Sequence, residues 1–196
     1  MKIAIIGLPQ TGKKTLFQLL TGHAPAEHAG TAVGAADILD PRFETLVELY
    51  RPRKRVRAKI DFVLVPKLEK ETIAQGDVFK DIVDADAVCH VVRAFEDDAV
   101  YHVNGSVNPE RDVASVNSEL LLHDLLFVEK RLERLAAQMQ KMKDERQQRE
   151  HEVLVKMKAH LEAERPLRLL PLSHEDELLL RSYPFITRKE MILILN

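Results

Sequence analysis

The feature that most constrains the fold is the stretch from Lys2 to Leu20, KIAIIGLPQTGKKTLFQLL. A short apolar run, Ile3 to Ile6, predicts a buried strand, and an amphipathic helical pattern begins after Gly12. Between them, GLPQTGK (Gly7 to Lys13) has the G-x-x-x-x-G-K spacing of a phosphate-binding P-loop. Glycines at both ends allow backbone N–H groups to point inward, where they and the lysine ammonium can receive phosphate oxygens. The stretch therefore predicts phosphate binding in preference to an ordinary strand-to-helix turn.

The residue after the loop lysine departs from the P-loop pattern. The motif places Ser or Thr there because the hydroxyl binds Mg²⁺, whereas this chain has Lys14 and carries Thr15 one position later. A lysine ammonium has no lone pair to offer a metal ion. The residues that we expect to bind phosphate are Gln10, Thr11, Gly12, Lys13, Lys14 and Thr15, and Mg²⁺ stays an open question.

Composition sets the broad class. The 196 residues are enough for a full core, and the formal net charge of −2 gives no general attraction to nucleic acid or membranes. Cys89 is the only cysteine, which excludes a disulfide framework and a cysteine-based metal cluster. No apolar run approaches the roughly 18 residues of a membrane span. We expect a soluble cytoplasmic protein with no membrane or DNA partner.

The apolar runs predict an α/β fold with a mostly parallel sheet. Its expected main strands are Lys2–Ile6, Ile60–Val65, Ala87–Val92 and Met191–Leu195, with a short edge strand at Ala35–Leu39. Helices are expected from Pro41, with Phe43, Leu46, Val47 and Tyr50 on one face, and from Ile73 to Val83. A buried strand that ends the chain suggests that the sequence is a fragment of a longer protein.

Three loops carry polar groups whose roles stay open. The segment from Gly22 to Gly34 lies where nucleotide switches cover the γ-phosphate, and Thr31 offers a hydroxyl there. Six basic side chains between Arg51 and Lys59 suit either a solvated connection, which we favour, or an RNA contact. The acids Glu96, Asp97 and Asp98 suit acid–base chemistry and capping equally well.

A heptad pattern begins near Leu121 and predicts a coiled coil. Apolar residues recur at alternating spacings of four and three over about three heptads, fail through 143–152 and restart out of register at Leu154. A break in register favours a helical hairpin over one continuous helix. The expected domains are a P-loop domain at 1–117 and 167–196, and an inserted antiparallel coiled-coil hairpin at 118–166. Beyond it, Ser173 is expected to cap a short helix that ends near Arg181.

Several motifs together resemble the YchF and Obg-like ATPases, a family of P-loop NTPases. The family signature G-L-P-N-V-G-K-S-T-L-F is similar to the segment from Gly7 to Phe17. More distinctive are HVVRAFEDD (His90 to Asp98) and RSYPFIT (Arg181 to Thr187). The resemblance implies that the helical segment is the family's coiled-coil arm. It further implies that Asn196 begins the N-x-x-E base-recognition motif, that a TGS-type domain follows, and that the protein associates with ribosomes.

The sequence departs from the family at the positions that bind the magnesium ion and the γ-phosphate. Lys14 replaces the magnesium-binding serine, and Leu64-Val65-Pro66-Lys67-Leu68 stands where the family has D-I-A-G-L. Asp61, the nearest acid, points to the other face of its strand by pleat alternation. We therefore expect an ATP- or GTP-binding domain whose hydrolysis is weak or lost. Two alternatives stay open: a degenerate interaction module that contacts ribosome or protein partners through the coiled-coil arm and the basic stretch, and an ordinary ATPase or GTPase that recruits Mg²⁺ through Thr15 and the phosphates.

Overall fold

The structure is a computed structural model that describes residues 1–25, 30–66, 77–139 and 144–196. The chain divides into two compact units. The first comprises Met1–Pro109 and Met191–Asn196, and the second comprises Glu110–Glu190.

A five-stranded sheet forms the centre of the first unit. Its strands in chain order are β1 (Lys2–Ile6), β2 (Ala32–Asp37), β3 (Lys59–Leu64), β4 (Ala87–Val92) and β5 (Glu190–Leu195). They lie side by side in the order β2-β3-β1-β4-β5. β1 is parallel to β3 and to β4, while β2 is antiparallel to β3. The prediction of an α/β fold with a mostly parallel sheet is therefore confirmed.

The central strands are apolar because both of their faces are covered. Every residue of β4 is buried, and so are the last four residues of β1. Continuous apolar runs are typical of parallel strands that lie between layers of helices. The edge strand β2 instead alternates between half-buried and exposed residues, as expected for an antiparallel strand with one solvated face.

The edge strand begins earlier than the sequence predicts. β2 starts at Ala32 and ends at Asp37, whereas the expected strand ran from Ala35 to Leu39. The difference arises at Gly34, where an added Cβ would lie 2.7 Å from the Thr21 side chain and 2.9 Å from the Phe17 ring. This glycine lets a helix approach the strand closely, although glycine in a sequence usually indicates a loop.

Three helices belong to the first unit: α1 (Lys13–Thr21), α2 (Pro41–Tyr50) and α3 (Asp77–Val83). α2 begins as predicted, since the Asp40 carboxylate caps it by accepting from the Arg42 amide at 2.9 Å. Its predicted apolar face is mostly exposed: Val47 is buried, but Tyr50 is 73% exposed. α3 covers the end of the expected helix from 73 to 83, whose first residues lie outside the described ranges.

The second unit is built on two long helices, α4 (Pro109–Met139) and α5 (Glu145–Glu162). They run antiparallel, because Glu129 pairs with Lys158 at 2.8 Å while Arg131 pairs with Glu150 at 2.6 Å. Asp144 is extended and caps α5, so the segment from α4 to α5 is not one continuous helix. Buried apolar side chains of both helices form one cluster, which includes Val128, Leu135, Leu154, Met157 and Leu161. The partly buried Leu125 and Leu132 of α4 pack against this cluster.

The end of the second unit folds back onto α4. After a 3-10 turn at Leu167–Leu169, Ser173 caps α6 (His174–Leu180) by accepting from the Asp176 amide, as predicted. Further on, Phe185 lies in the apolar cluster between the helices. Within the described ranges, no helix is both long enough and apolar enough to cross a membrane.

Candidate nucleotide-binding site

The loop between β1 and α1 has the backbone shape that phosphate binding requires. Gln10 has a φ of 58° and Gly12 a φ of 91°, so the chain enters the left-handed region twice within three residues. Alternation of this kind turns successive N–H groups toward one side and forms an anion-binding concavity. Gly12 is also the N-cap residue of α1, so the first free amides of the helix face the same side.

Gly7 is required where the loop leaves β1. Its φ is 145°, and an added Cβ would lie 2.3 Å from the carbonyl oxygen of Val91 in β4. Because the obstacle is backbone in a central strand, a side chain here cannot be accommodated by a rotamer change. The first glycine of the motif therefore fixes the close approach of the loop to the sheet.

The loop holds the Lys13 ammonium in place. The residue is only 8% exposed, and its Nζ donates to the carbonyl oxygen of Gly7 at 2.5 Å and to that of Leu8 at 2.6 Å. The Thr11 hydroxyl donates to the same Leu8 carbonyl at 3.1 Å. These contacts bring a positive charge and inward-facing amides together, which is a donor set that fits phosphate oxygens.

Asn196 lies against this loop although 185 residues separate it from Thr11. Its Nδ2 donates to the Thr11 carbonyl at 3.0 Å, and a Cβ on Gly12 would lie 2.3 Å from the same nitrogen. The carbonyl of Asn196 accepts from the amides of Ala94 at 2.7 Å and Phe95 at 3.1 Å. Asn196 therefore joins the phosphate loop to the segment that follows β4.

That segment is organised by Arg93, which the sequence analysis did not single out. Arg93 is 2% exposed, and its guanidinium donates to backbone carbonyls of the following loop and stacks on the Phe95 ring at 4.4 Å. The accepting residues are Phe95, Asp97, Val100 and Tyr101. The acids Glu96, Asp97 and Asp98 are all exposed, and the Asp97 carboxylate accepts from the Ala99 amide at 2.9 Å. The geometry around these acids is that of a solvated loop.

The positions that hold Mg²⁺ in other P-loop proteins do not fit a metal here. Lys14 occupies the second position of α1, and it and Thr15 are exposed. Leu64 ends β3 with 6% exposure, so an apolar side chain stands where the family has a carboxylate. Across the described ranges, no group of three or more His, Cys, Asp or Glu side chains is arranged to hold a metal ion.

Two further loop positions remain from the sequence, Thr31 and Lys67. Thr31 has another partner in the structure, and Lys67 lies outside the described residues. The Thr31 hydroxyl donates to the Asp81 carboxylate of α3, so the structure places it in a contact between β2 and α3. The glycine position of the family's D-I-A-G-L motif corresponds to Lys67, which lies outside the described residues. Of the predicted site residues, the structure brings Thr11, Gly12, Lys13 and Asn196 together. Gln10, Lys14 and Thr15 are exposed beside them.

The chain is similar along its whole length to several curated proteins. It is 36% identical over 203 residues to the ribosome-binding ATPase YchF of Bacillus subtilis, a match that covers 98% of this chain and 55% of that protein. It is 32% identical over 206 residues to the Obg-like ATPase 1 of Caenorhabditis elegans, covering 100% of this chain and 52% of that protein. The chain thus spans about half the length of the curated relatives that it matches. No protein-family model matches it.

A solved structure agrees with these sequence matches. The structure of the YchF GTPase of Schizosaccharomyces pombe matches this fold with a TM-score of 0.79 at 27% identity. The match covers 100% of this chain and 56% of the other. The fold and the sequence therefore point to the same set of relatives.

Proposed function

The chain belongs to the family of YchF and Obg-like ATPases, and from that premise we propose that its phosphate loop binds ATP or GTP. The observation that carries the proposal is the loop itself. Gln10 and Gly12 turn the backbone amides to one side, and the buried Lys13 ammonium lies at the same loop. The amides receive the phosphates of a purine nucleotide, and Lys13 supplies a positive charge that needs little further ordering.

Hydrolysis by this site is weak or lost. Phosphoryl transfer depends on positioning and on neutralising the charge that develops on the transferred group. A magnesium ion, when bound, supplies that neutralisation in P-loop NTPases. Here Lys14 and Leu64 stand at the two metal positions, and neither has a lone pair for a metal. We place Asn196 at the base-binding side of the site, as the resemblance implies.

The test is a titration of the chain with labelled ATP and GTP. Saturable binding of at least one of them is expected, weakened by about tenfold or more in Lys13→Ala because a charge-assisted contact is worth roughly 1.5–3 kcal/mol. Lys156→Ala removes an exposed lysine of α5 and should bind like the parent. Absence of saturable binding by either nucleotide would overturn the proposal. Turnover that depends on Mg²⁺ and vanishes in Lys13→Ala would instead support the ordinary ATPase or GTPase.

A second candidate function is a ribosome contact in the cytoplasm, which rests on the name of the ribosome-binding relative. The basic stretch favours it, because Arg53, Lys54 and Arg55 are exposed whereas Arg57 and Lys59 pair with Glu44 and Asp37. Cosedimentation with ribosomes should weaken when Arg53, Lys54 and Arg55 are all changed to Ser. Unchanged cosedimentation of that triple variant would exclude this surface.

A further inference from the structure

The start of α1 carries a positive charge where a helix normally disfavours one. The helix dipole places a partial positive charge at the N-terminus, so cations there are unfavourable and anions are stabilised. α1 has no acidic residue in its first turn, yet its first two residues are Lys13 and Lys14. Two cationic residues therefore follow each other at the end of the helix where the dipole disfavours positive charge, and a bound anion relieves this unfavourable interaction.

The two lysines have different surroundings. Lys13 is buried and is held by the carbonyls of Gly7 and Leu8. Lys14 is exposed, and its side chain makes no hydrogen bond or ion pair within the described part of the chain. A lysine side chain is long and flexible, and its ammonium offers three donors. It can therefore turn toward a ligand in the loop without breaking a contact with any of the described residues.

At the second of the two metal positions, an apolar side chain stands where the family motif has a carboxylate. Leu64 is buried at the end of β3, where it pairs in register with Ile5 of β1 and Ala32 of β2. A carboxylate at this point would attract a divalent cation, and it would also attract the Lys14 ammonium away from a phosphate. Leu64 supplies no carboxylate that would compete with a phosphate for the Lys14 ammonium.

We propose that the Lys14 ammonium takes the place of the divalent cation at the phosphates, so that this chain binds the metal-free nucleotide. The inference rests on the proposed nucleotide binding and deepens it, since it names the ionic form of the ligand. Lys13 then serves as the fixed cation of the site and Lys14 as the mobile one.

The experiment is calorimetric titration of the full chain with ATP and with GTP, each in EDTA and in excess Mg²⁺. The parent is expected to bind equally well within about twofold in EDTA and in Mg²⁺, or better in EDTA. Lys14→Ser should weaken binding in EDTA by about tenfold, the loss expected for one charge-assisted contact. Lys156→Ser, the same change at an exposed lysine of α5, should leave the affinity unchanged.

A variant that restores the metal ligands gives a second readout. Lys14→Ser combined with Leu64→Asp supplies the hydroxyl and the carboxylate of the ordinary motif. This double variant should bind nucleotide at least tenfold more tightly in Mg²⁺ than in EDTA, which reverses the preference of the parent. Its circular dichroism spectrum would show whether it folds, and Lys14→Ser alone carries the test if it does not.

The outcomes separate the inference from the proposed function. Binding by the parent only in Mg²⁺, or equal affinity of the parent and Lys14→Ser in EDTA, would overturn the inference and leave nucleotide binding in place. No saturable binding in either buffer would overturn both.

Discussion

Each unit of the molecule contains a fully buried charged side chain that is hydrogen-bonded to backbone groups, Arg93 in the first unit and Asp124 in the second. In the first unit the Arg93 guanidinium donates to four carbonyls, and none of the salt bridges among the described residues involves it. In the second unit Asp124, fully buried, accepts from the amides of Ile186 at 3.0 Å and Thr187 at 2.7 Å and from the Thr187 hydroxyl at 2.7 Å. The His123 ring also contacts this carboxylate at 3.1 Å.

The two charges differ in how far along the chain their partners lie. The carbonyls that accept from Arg93 come two to eight residues after it, whereas the Asp124 contacts join residues 62 and 63 positions apart. A contact within eight residues shapes one loop, and that loop can open while the sheet stays intact. A contact across more than sixty residues ties the end of the unit to its first helix, so its loss is felt by the whole unit.

The largest effect is expected for Asp124→Ala. Its removal leaves two buried amides and a hydroxyl without their acceptor, and we expect a loss of about 4 kcal/mol in the free energy of unfolding. Asp124→Asn keeps one acceptor oxygen and should lose less. Urea denaturation followed by circular dichroism measures both, with Glu133→Ala on the exposed side of α4 as the control. A loss under 1 kcal/mol would mean that the contact does not tie the unit together.

Arg93→Met should have a smaller and more local effect. The four carbonyls can be rehydrated if the loop opens, so we expect a loss of about 2 kcal/mol in global stability. Amides of residues 95–101 should exchange with solvent faster, while those of β1 and β4 change little. Hydrogen exchange by mass spectrometry measures this, with Arg53→Met as the exposed control. Equal acceleration in the strands would show that Arg93 supports the sheet as well as the loop.

The sequence predicted the elements whose signal is local. Apolar runs located β1, β3, β4 and β5 to within one residue, and the glycine and lysine spacing located the phosphate loop. Asp40 and Ser173 located two helix starts, because capping is a contact between near neighbours. The start of β2 was not predicted, because a glycine beside other small residues usually indicates a loop. In the structure, Gly34 lies in a strand and allows α1 to pack closely against it.

The contacts that the sequence did not predict depend on how later segments of the chain fold back onto earlier ones. Arg93 follows an apolar strand, and nothing in its spacing indicates that the next eight residues wrap their carbonyls around it. Asp124 occupies a position in α4 that looks solvent-facing until the later segment returns to it. Asn196 was assigned to the site through a family resemblance, because its contact with Thr11 spans almost the whole chain.

Thr187→Val sharpens the comparison by testing whether amides alone satisfy the buried carboxylate. The Thr187 hydroxyl donates to Asp124 and accepts from the Leu167 amide at 3.1 Å. Valine keeps the volume and the Thr187 amide contact but loses both hydroxyl bonds, so we expect a loss of about 2 kcal/mol. Thr187→Ser keeps the hydroxyl and should lose about 1 kcal/mol or less. If serine is as damaging as valine in urea denaturation, the methyl group matters and the hydroxyl does not.

The buried carboxylate of Glu150 is met by side chains instead, and its contact with Tyr183 gives the smallest effect, which appears only at high pH. Arg131 donates to Glu150 at 2.6 Å, and the Tyr183 hydroxyl donates to the same oxygen. Burial, and then this hydrogen bond to a carboxylate, raise the pKa of Tyr183 above its usual value of about 10.

The folded state holds the Tyr183 phenol proton more tightly than the unfolded state does, so the bound proton stabilises the fold. This stabilisation is fully present below the pKa that Tyr183 has in the unfolded chain, and it is lost as the pH rises through the pKa that Tyr183 has in the folded state. The free energy of unfolding should therefore fall above pH 10 by up to about 1.4 kcal/mol per pH unit from this group alone. Tyr183→Phe should flatten that part of the pH profile, whereas Tyr50→Phe, at a residue 73% exposed, should not. Urea denaturation of the three proteins between pH 8 and 11.5 makes the comparison, and parallel profiles for the parent and Tyr183→Phe would show that the phenol ionises as it does in the unfolded chain. Among the described residues, no tyrosine hydroxyl bonds to Arg93 or Asp124, so variants of these two residues should keep the alkaline slope of the parent.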